Sequence, residues 1–113
     1  MKKIEAIIRP EKLDTVRKEL DKCGYPGIMI TEVEGHGKQK GVEQLWRGEK
    51  YKVDFLPKIK IEIVAKDGDA DRIVATIIQT ARTGAVGDGK IFISDVKDAV
   101  RIRTGDRGDK AVE

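Results

Sequence analysis

The chain has 113 residues, with 23 Lys and Arg against 20 Asp and Glu and a net charge of +3. That length suits one domain, residues 1–113, with one modest core. Charges make up 38% of the residues with both signs interspersed, and the aromatic residues are only Tyr25, Trp46, Tyr51, Phe55 and Phe92. This excludes the basic face and the stacking platforms of a dedicated nucleic-acid binder.

Residues 3–9 alternate, with Ile4, Ala6 and Ile8 on one face, which predicts a strand. Pro10 suits the first position of a helix, and Glu11 favours a helix N-terminus. Leu13, Val16, Leu20 and Cys23 then form one apolar stripe, and Gly24 is placed as the C-terminal cap. Cys23 is the single cysteine, so it has no internal disulfide partner; its place suits a small core residue at a helix end. Residues 28–34 read as a second strand. Residues 35–55 break the pattern, with Gly35, Gly37, Gly41 and Gly48 set among His36, Lys38, Gln39, Lys40, Arg47 and Lys50. A loop of that length is usually functional or disordered.

Residues 58–66 alternate again, with Ile59, Ile61, Ile63 and Ala65 on one face, which predicts a third strand. Asp67 or Asp69 can cap a helix bearing Ala70, Ile73, Val74, Ile77, Ile78 and Ala81. Residues 90–96 read as a fourth strand, followed by the basic segment 101–105 and a polar terminus expected to fray. The order is β-α-β, long loop, β-α-β, and Lys-Ile-Glu opens both halves at Lys3 and Lys60. This predicts an α+β, ferredoxin-like βαββαβ fold, with a four-stranded antiparallel sheet and two helices on one face. The other face carries Ile7, Val64 and Phe92 among charges, so an oligomer is expected.

The stretch joining the second helix to the last strand, Thr83-Gly-Ala-Val-Gly-Asp-Gly-Lys-Ile-Phe92, holds Gly84, Gly87 and Gly89 followed by Lys90. Glycines at this density let backbone N–H groups approach an anion, and the lysine adds a mobile positive charge. The run from Gly84 to Lys90 fits the start of a P-loop. However, Ile91 stands where a magnesium-binding Ser or Thr belongs, and the loop runs from helix into strand. The P-loop fold is therefore rejected. A phosphate cradle and a tight turn with a solvated lysine account for the motif equally well.

Five collinear motifs carry a family resemblance: Gly35-x-Gly-x-Gln-x-Gly41, Arg47-Gly-x-x-Tyr51, Asp54-Phe-Leu-Pro-Lys58, the glycine loop with Phe92, and Arg101-Ile-Arg-Thr-Gly105. Over nearly its whole length the chain resembles the PII nitrogen-signalling proteins. The resemblance implies a homotrimer with nucleotide sites in the clefts between subunits. ATP and ADP compete for these sites, and 2-oxoglutarate binds together with Mg²⁺ and ATP. It implies a cytoplasmic sensor, not a conventional catalyst. Its long loop, residues 37–55, docks on an ammonium channel or a nitrogen-assimilation enzyme or regulator, so membrane contact is indirect.

The resemblance also implies residue roles. Ile7 and Val64 line the adenine pocket, although core packing explains them as naturally. Gly35, Gly37, Lys38 and Gln39 belong to the nucleotide site, with lysine at 38 where arginine is frequent. Thr83, Gly87, Asp88, Gly89 and Lys90 form the phosphate loop, residues 82–90. Arg101 and Arg103 reach the same phosphates across the interface, and alternation puts them on one side of an extended segment. Gln39 is the implied Mg²⁺ ligand and the link to the loop. Lys58, which by itself reads as a surface lysine at a strand start, and Gly87 join Gln39 in holding 2-oxoglutarate. Tyr51 matches a tyrosine that some members carry uridylylated or adenylylated, and Arg47 matches an arginine inserted into ammonium channels. Glu49, Trp46 and Ala85 depart from common residues of the family.

Two other classes compete. A phosphotransferase would need His36, the single histidine, beside the phosphates with a matched acid, and neither Asp88 nor Glu34 is suitably spaced. An RNA-binding domain of this topology would need aromatics where Lys60, Glu62 and Val64 stand. The lack of asparagine and the abundance of charge fit adaptation to high temperature.

Overall fold

The structure is a computed structural model and describes residues 1–35, 42–46, 49–53 and 56–113. Strand β1 (Lys2–Ile8) leads through a 3₁₀ turn (Pro10–Lys12) into helix α1 (Leu13–Lys22). Strands β2 (Met29–Gly35), β3 (Val42–Trp46), β4 (Glu49–Val53) and β5 (Leu56–Ala65) follow. Helix α2 (Asp67–Ala81) and strand β6 (Lys90–Asp95) precede a final 3₁₀ turn (Gly108–Val112). The main sheet is four-stranded in the order β2-β5-β1-β6, every pair antiparallel. This is the ferredoxin-like arrangement expected from the two β-α-β halves.

Alternation decides which face meets the helices. Ile4, Ala6 and Ile8 of β1 and Ile59, Ile61, Ile63 and Ala65 of β5 are buried, together with Val16 and Leu20 of α1 and Ile73 and Ile77 of α2. The opposite face is a lattice of charge. Register sets Glu5 directly across from Glu62, a repulsive placement by itself. Lys3 relieves it by pairing with Glu5 at 3.0 Å and Glu62 at 3.3 Å, and Lys60 adds a contact to Glu62 at 3.2 Å. Phe92 of β6, opposite Glu5, remains 56% exposed.

The structure departs from the sequence expectations at four places. Pro10 opens a 3₁₀ turn, and α1 begins only at Leu13. Neither Asp67 nor Asp69 caps α2. Lys66 holds the cap position with no side-chain capping bond, while Asp67 pairs with the Met1 ammonium at 2.8 Å and Asp69 accepts from the Tyr25 hydroxyl. Both acids still lie in the first turn, where the helix dipole favours negative charge. The glycine-rich stretch after β2 contains paired strands β3 and β4, which places Val42 opposite Val53 and Glu43 opposite Lys52. The C-terminal segment, expected as a polar end, has partners in the structure. Val100 bridges Arg107, and Glu113 pairs with Lys66 at 2.9 Å. Gly24 ends α1 with φ of +90°, as a capping glycine should.

Ile73 is fully buried and Lys18 is exposed. In chemical denaturation at fixed protein concentration, Ile73→Ala is expected to cost about 2–5 kcal/mol and Lys18→Ala less than about 0.5 kcal/mol.

Candidate functional site

After α2 ends, residues 82–89 fold back over the end of β1 before β6 begins at Lys90. Gly84, Gly87 and Gly89 adopt φ of +89°, +105° and +101°, a region other residues avoid. The requirement is strictest at Gly89. A Cβ there would lie 1.7 Å from the Ile7 carbonyl oxygen.

The Asp88 carboxylate staples the loop from inside. It accepts the Thr83 N–H at 2.8 Å, the Gly84 N–H at 2.9 Å, the Thr83 hydroxyl, and the Arg9 Nε–H at 3.1 Å. The Thr83 hydroxyl, followed by the backbone N–H groups and Arg9, holds the Asp88 carboxyl well below the usual carboxylate range. Arg9 follows β1 and donates a second bond, 3.0 Å, to the Val86 carbonyl. Lys58 of β5 donates to the Gly87 carbonyl at 2.6 Å. It is 8% exposed, so it is a buried cation and not the surface lysine its place in the sequence suggests. Burial, and then the nearby Arg9 charge, push its ammonium pKa down. A cleft of about 410 Å³ opens beside the loop on the helix side of the sheet, lined by Ile8, Val74, Ile77, Ile78 and Ile93 and by Asp88 and Lys90.

The structure therefore gathers Ile7, Lys58, Thr83, Gly87, Asp88, Gly89 and Lys90 around one loop, with exposed Lys90 in register with Ile7. Val64 shares the open face with Ile7. It pairs with Lys3, however, whereas Ile7 pairs with Lys60, so the two stand roughly 13 Å apart along the strands. Gly35 ends β2 opposite Leu56. Arg101 and Arg103 do not lie on one side of an extended segment. Residues 102–104 form a turn, closed by the Gly105 N–H bonding the Arg101 carbonyl at 2.7 Å, because Gly105 supplies the left-handed residue that ends it. The Arg101 guanidinium donates to Asp106 at 3.2 Å and to the Lys110 carbonyl at 2.7 Å. Arg103 is exposed. Gly37, Lys38, Gln39 and Arg47 lie outside the described residues, as does the candidate His36; Tyr51 lies on β4. Arg9 was absent from the sequence-level site, and its one signal is that it precedes Pro10 at a strand end.

These features define a ferredoxin-like subunit whose helix-to-strand crossing is a carboxylate-stapled glycine loop ending in lysine. Residues 1–106 match the family profile described as Nitrogen regulatory protein P-II, and the chain belongs to that family of regulatory proteins. Over 112 residues it is 57% identical to Nitrogen regulatory protein P-II 1 of Escherichia coli (strain K12), covering 99% of this chain and 100% of that protein. Nitrogen regulatory protein P-II of Klebsiella oxytoca is 57% identical with the same coverage. Nitrogen regulatory protein P-II 2 of Methanothermobacter thermautotrophicus is 55% identical, covering 99% of this chain and 97% of the relative.

Two outcomes follow from the loop. Gly84 has open space around its would-be Cβ, so Gly84→Ala is expected to carry only the conformational cost, about 1–2 kcal/mol. Gly89→Ala adds a backbone collision and should be clearly the more destabilising of the two in parallel denaturation curves. Asp88 has a folded-state pKa below its unfolded value. Its contribution is therefore complete above about pH 4 and is lost as pH falls toward the folded value. The gap in thermal midpoint between wild type and Asp88→Asn should be constant from pH 8 to 5 and should narrow below about pH 4.

Proposed function

We propose that this protein senses ATP or ADP and 2-oxoglutarate, and controls ammonium transport or nitrogen assimilation by ligand-dependent docking of its long loop, residues 37–55, on target proteins. The observation that carries the reading is the stapled glycine loop. Left-handed Gly87 and Gly89, with Lys90, offer backbone N–H groups and charge to a phosphate, in a chain of the P-II family. Ile7, on the open face of the sheet and in register with Lys90, is the proposed apolar surface for a base. A binding role suits Asp88 better than catalysis. Its carboxylate is taken up by bonds to the loop and Arg9, and its depressed pKa makes it a poor proton acceptor.

The subunit is proposed to act as a homotrimer. β2 and β6 are the sheet's edge strands, and Met29, Phe92 and Ile93 on them are 58%, 56% and 52% exposed. Neighbouring copies would cover these edges and bring Arg101 and Arg103 to a shared phosphate site. Lys58 is the proposed partner of a 2-oxoglutarate carboxylate beside Gly87. Mg²⁺ takes oxygen ligands, which the phosphates, 2-oxoglutarate and the Gln39 amide would supply. Among the described residues no cluster of His, Cys, Asp and Glu is arranged to hold a metal, which leaves the ligands to bring most of the coordination. Tyr51 is the proposed modification site and Arg47 the proposed contact to an ammonium channel. The protein is read as cytoplasmic, reaching the membrane through that channel alone. Among the described residues no helix is long and apolar enough to cross a membrane.

Calorimetric titration of 2-oxoglutarate, with and without Mg-ATP, tests the reading. Binding is expected only with Mg-ATP, and Lys58→Ala should weaken it at least tenfold. Failure of wild-type protein to bind 2-oxoglutarate under either condition would remove the carbon-sensing role. Failure to bind ATP or ADP would remove the whole reading.

A further inference from the structure

We propose that Arg9 is the positioning residue of the phosphate cradle: its guanidinium fixes the direction in which the loop presents its N–H groups. The proposal rests on the loop being a phosphate site, as argued above. The geometry begins with the peptide plane. In a trans peptide the N–H points opposite to the carbonyl of the preceding residue, and the described chain has no cis bond. Arg9 holds the Val86 carbonyl at 3.0 Å, so the Gly87 N–H is turned away from Arg9. Lys58 holds the Gly87 carbonyl at 2.6 Å, so the Asp88 N–H is turned away from Lys58. Two successive N–H groups are thereby aimed outward by cations gripping the carbonyls behind them, and successive N–H groups of this kind form an anion-binding nest.

The Arg9 fork makes two bonds in this arrangement. The same guanidinium that holds Val86 reaches the Asp88 carboxylate at 3.1 Å, and Asp88 in turn gathers Thr83 and Gly84. Arg9 thus holds Val86 directly and reaches Thr83 and Gly84 through Asp88, an arrangement a lysine can only half reproduce. The backbone fixes its starting point. Arg9 is extended, with φ of −66° and ψ of 138°, as a residue preceding proline should be. With 15% of its side chain exposed and both arms of the fork engaged, Arg9 acts on a ligand through the loop.

Arg9→Gln and Arg9→Lys test this, with ATP and adenosine binding measured by calorimetry and the Gly87 and Asp88 amide resonances followed by NMR. Arg9→Gln is expected to weaken ATP at least tenfold and to leave adenosine, which lacks phosphate, within about twofold. Arg9→Lys, which keeps the charge but not the fork, should recover only part of the loss. The decisive readout is the ligand-free spectrum: the Gly87 and Asp88 amide resonances should move in Arg9→Gln before any nucleotide is added. Unchanged resonances, unchanged ATP affinity, or equal losses for ATP and adenosine would overturn the proposal. Should Arg9→Gln not fold, titration of wild-type protein with inorganic triphosphate decides, because unmoved Gly87 and Asp88 amides overturn it. Wild-type protein that binds no ATP would instead sink the sensor reading, and this proposal with it.

Discussion

The close approach of Gly89 to the Ile7 carbonyl is the constraint on which the rest of the site depends. β1 is an interior strand, paired with β5 on one side and β6 on the other. Its carbonyls cannot move to make room without disturbing both ladders. The loop entering β6 must therefore cross the end of β1 with no side chain at the crossing, and position 89 meets that need. Once the crossing is fixed, Arg9 at the end of β1 and Lys58 on β5 stand directly beneath the loop. The site is thus a consequence of strand order: two cations on two neighbouring strands face one turn.

Those cations carry an electrostatic cost that the loop offsets. Lys58 is buried near Arg9, and both desolvation and repulsion disfavour its charge. The Gly87 carbonyl and the Asp88 carboxylate give these charges partners. The balance is local and tight, which makes the loop sensitive to an arriving anion. A carboxylate that drew Lys58 from Gly87 would alter the same peptide that offers the Asp88 N–H. If Lys58 held an anion and the loop a phosphate, as proposed, both would act on that peptide, and linkage would make each affect the other.

Much of the fold was legible because β1, β5 and both helices keep one clean period each. Ile4, Ile8, Ile61, Ile63, Ile73 and Ile77 all lie where alternation or helical spacing places them. The hairpin β3–β4 was not legible. Four glycines in residues 35–48 masked the strand-favouring residues between them, and the pairing that orders the segment is a contact between strands, invisible to local propensity. The glycine loop announced itself by composition, and its chemistry was half read. The staple was missed because it depends on Arg9, nearly eighty positions away in the chain, and no spacing rule reports on that distance. Lys58 looked like a surface residue for the same reason, since the loop that buries it comes from beyond α2. The C-terminal segment was misjudged because its polar residues find partners, Lys66 for Glu113 and Asp98 for Arg107 at 2.7 Å, that composition does not show.

The positive charges around the loop divide their labour, and on the proposed reading one subunit alone would be an incomplete site. Arg9 and Lys58 point their donors at carbonyls and Asp88, so they shape the cradle more than they neutralise what enters it. Lys90 is exposed at the loop's end, but a polyphosphate carries several negative charges and one flexible lysine balances little of that. On the proposed reading, further cations would come from neighbouring copies. Arg101 and Arg103 lie on a turn whose neighbours Val100 and Ile102 are 49% and 100% exposed, an apolar flank with no use in an isolated subunit. Burying Ile102 against a second copy would bring its neighbour Arg103 to the same contact. Apolar burial would then deliver the missing charge, and assembly and anion binding would be two readings of the same contact.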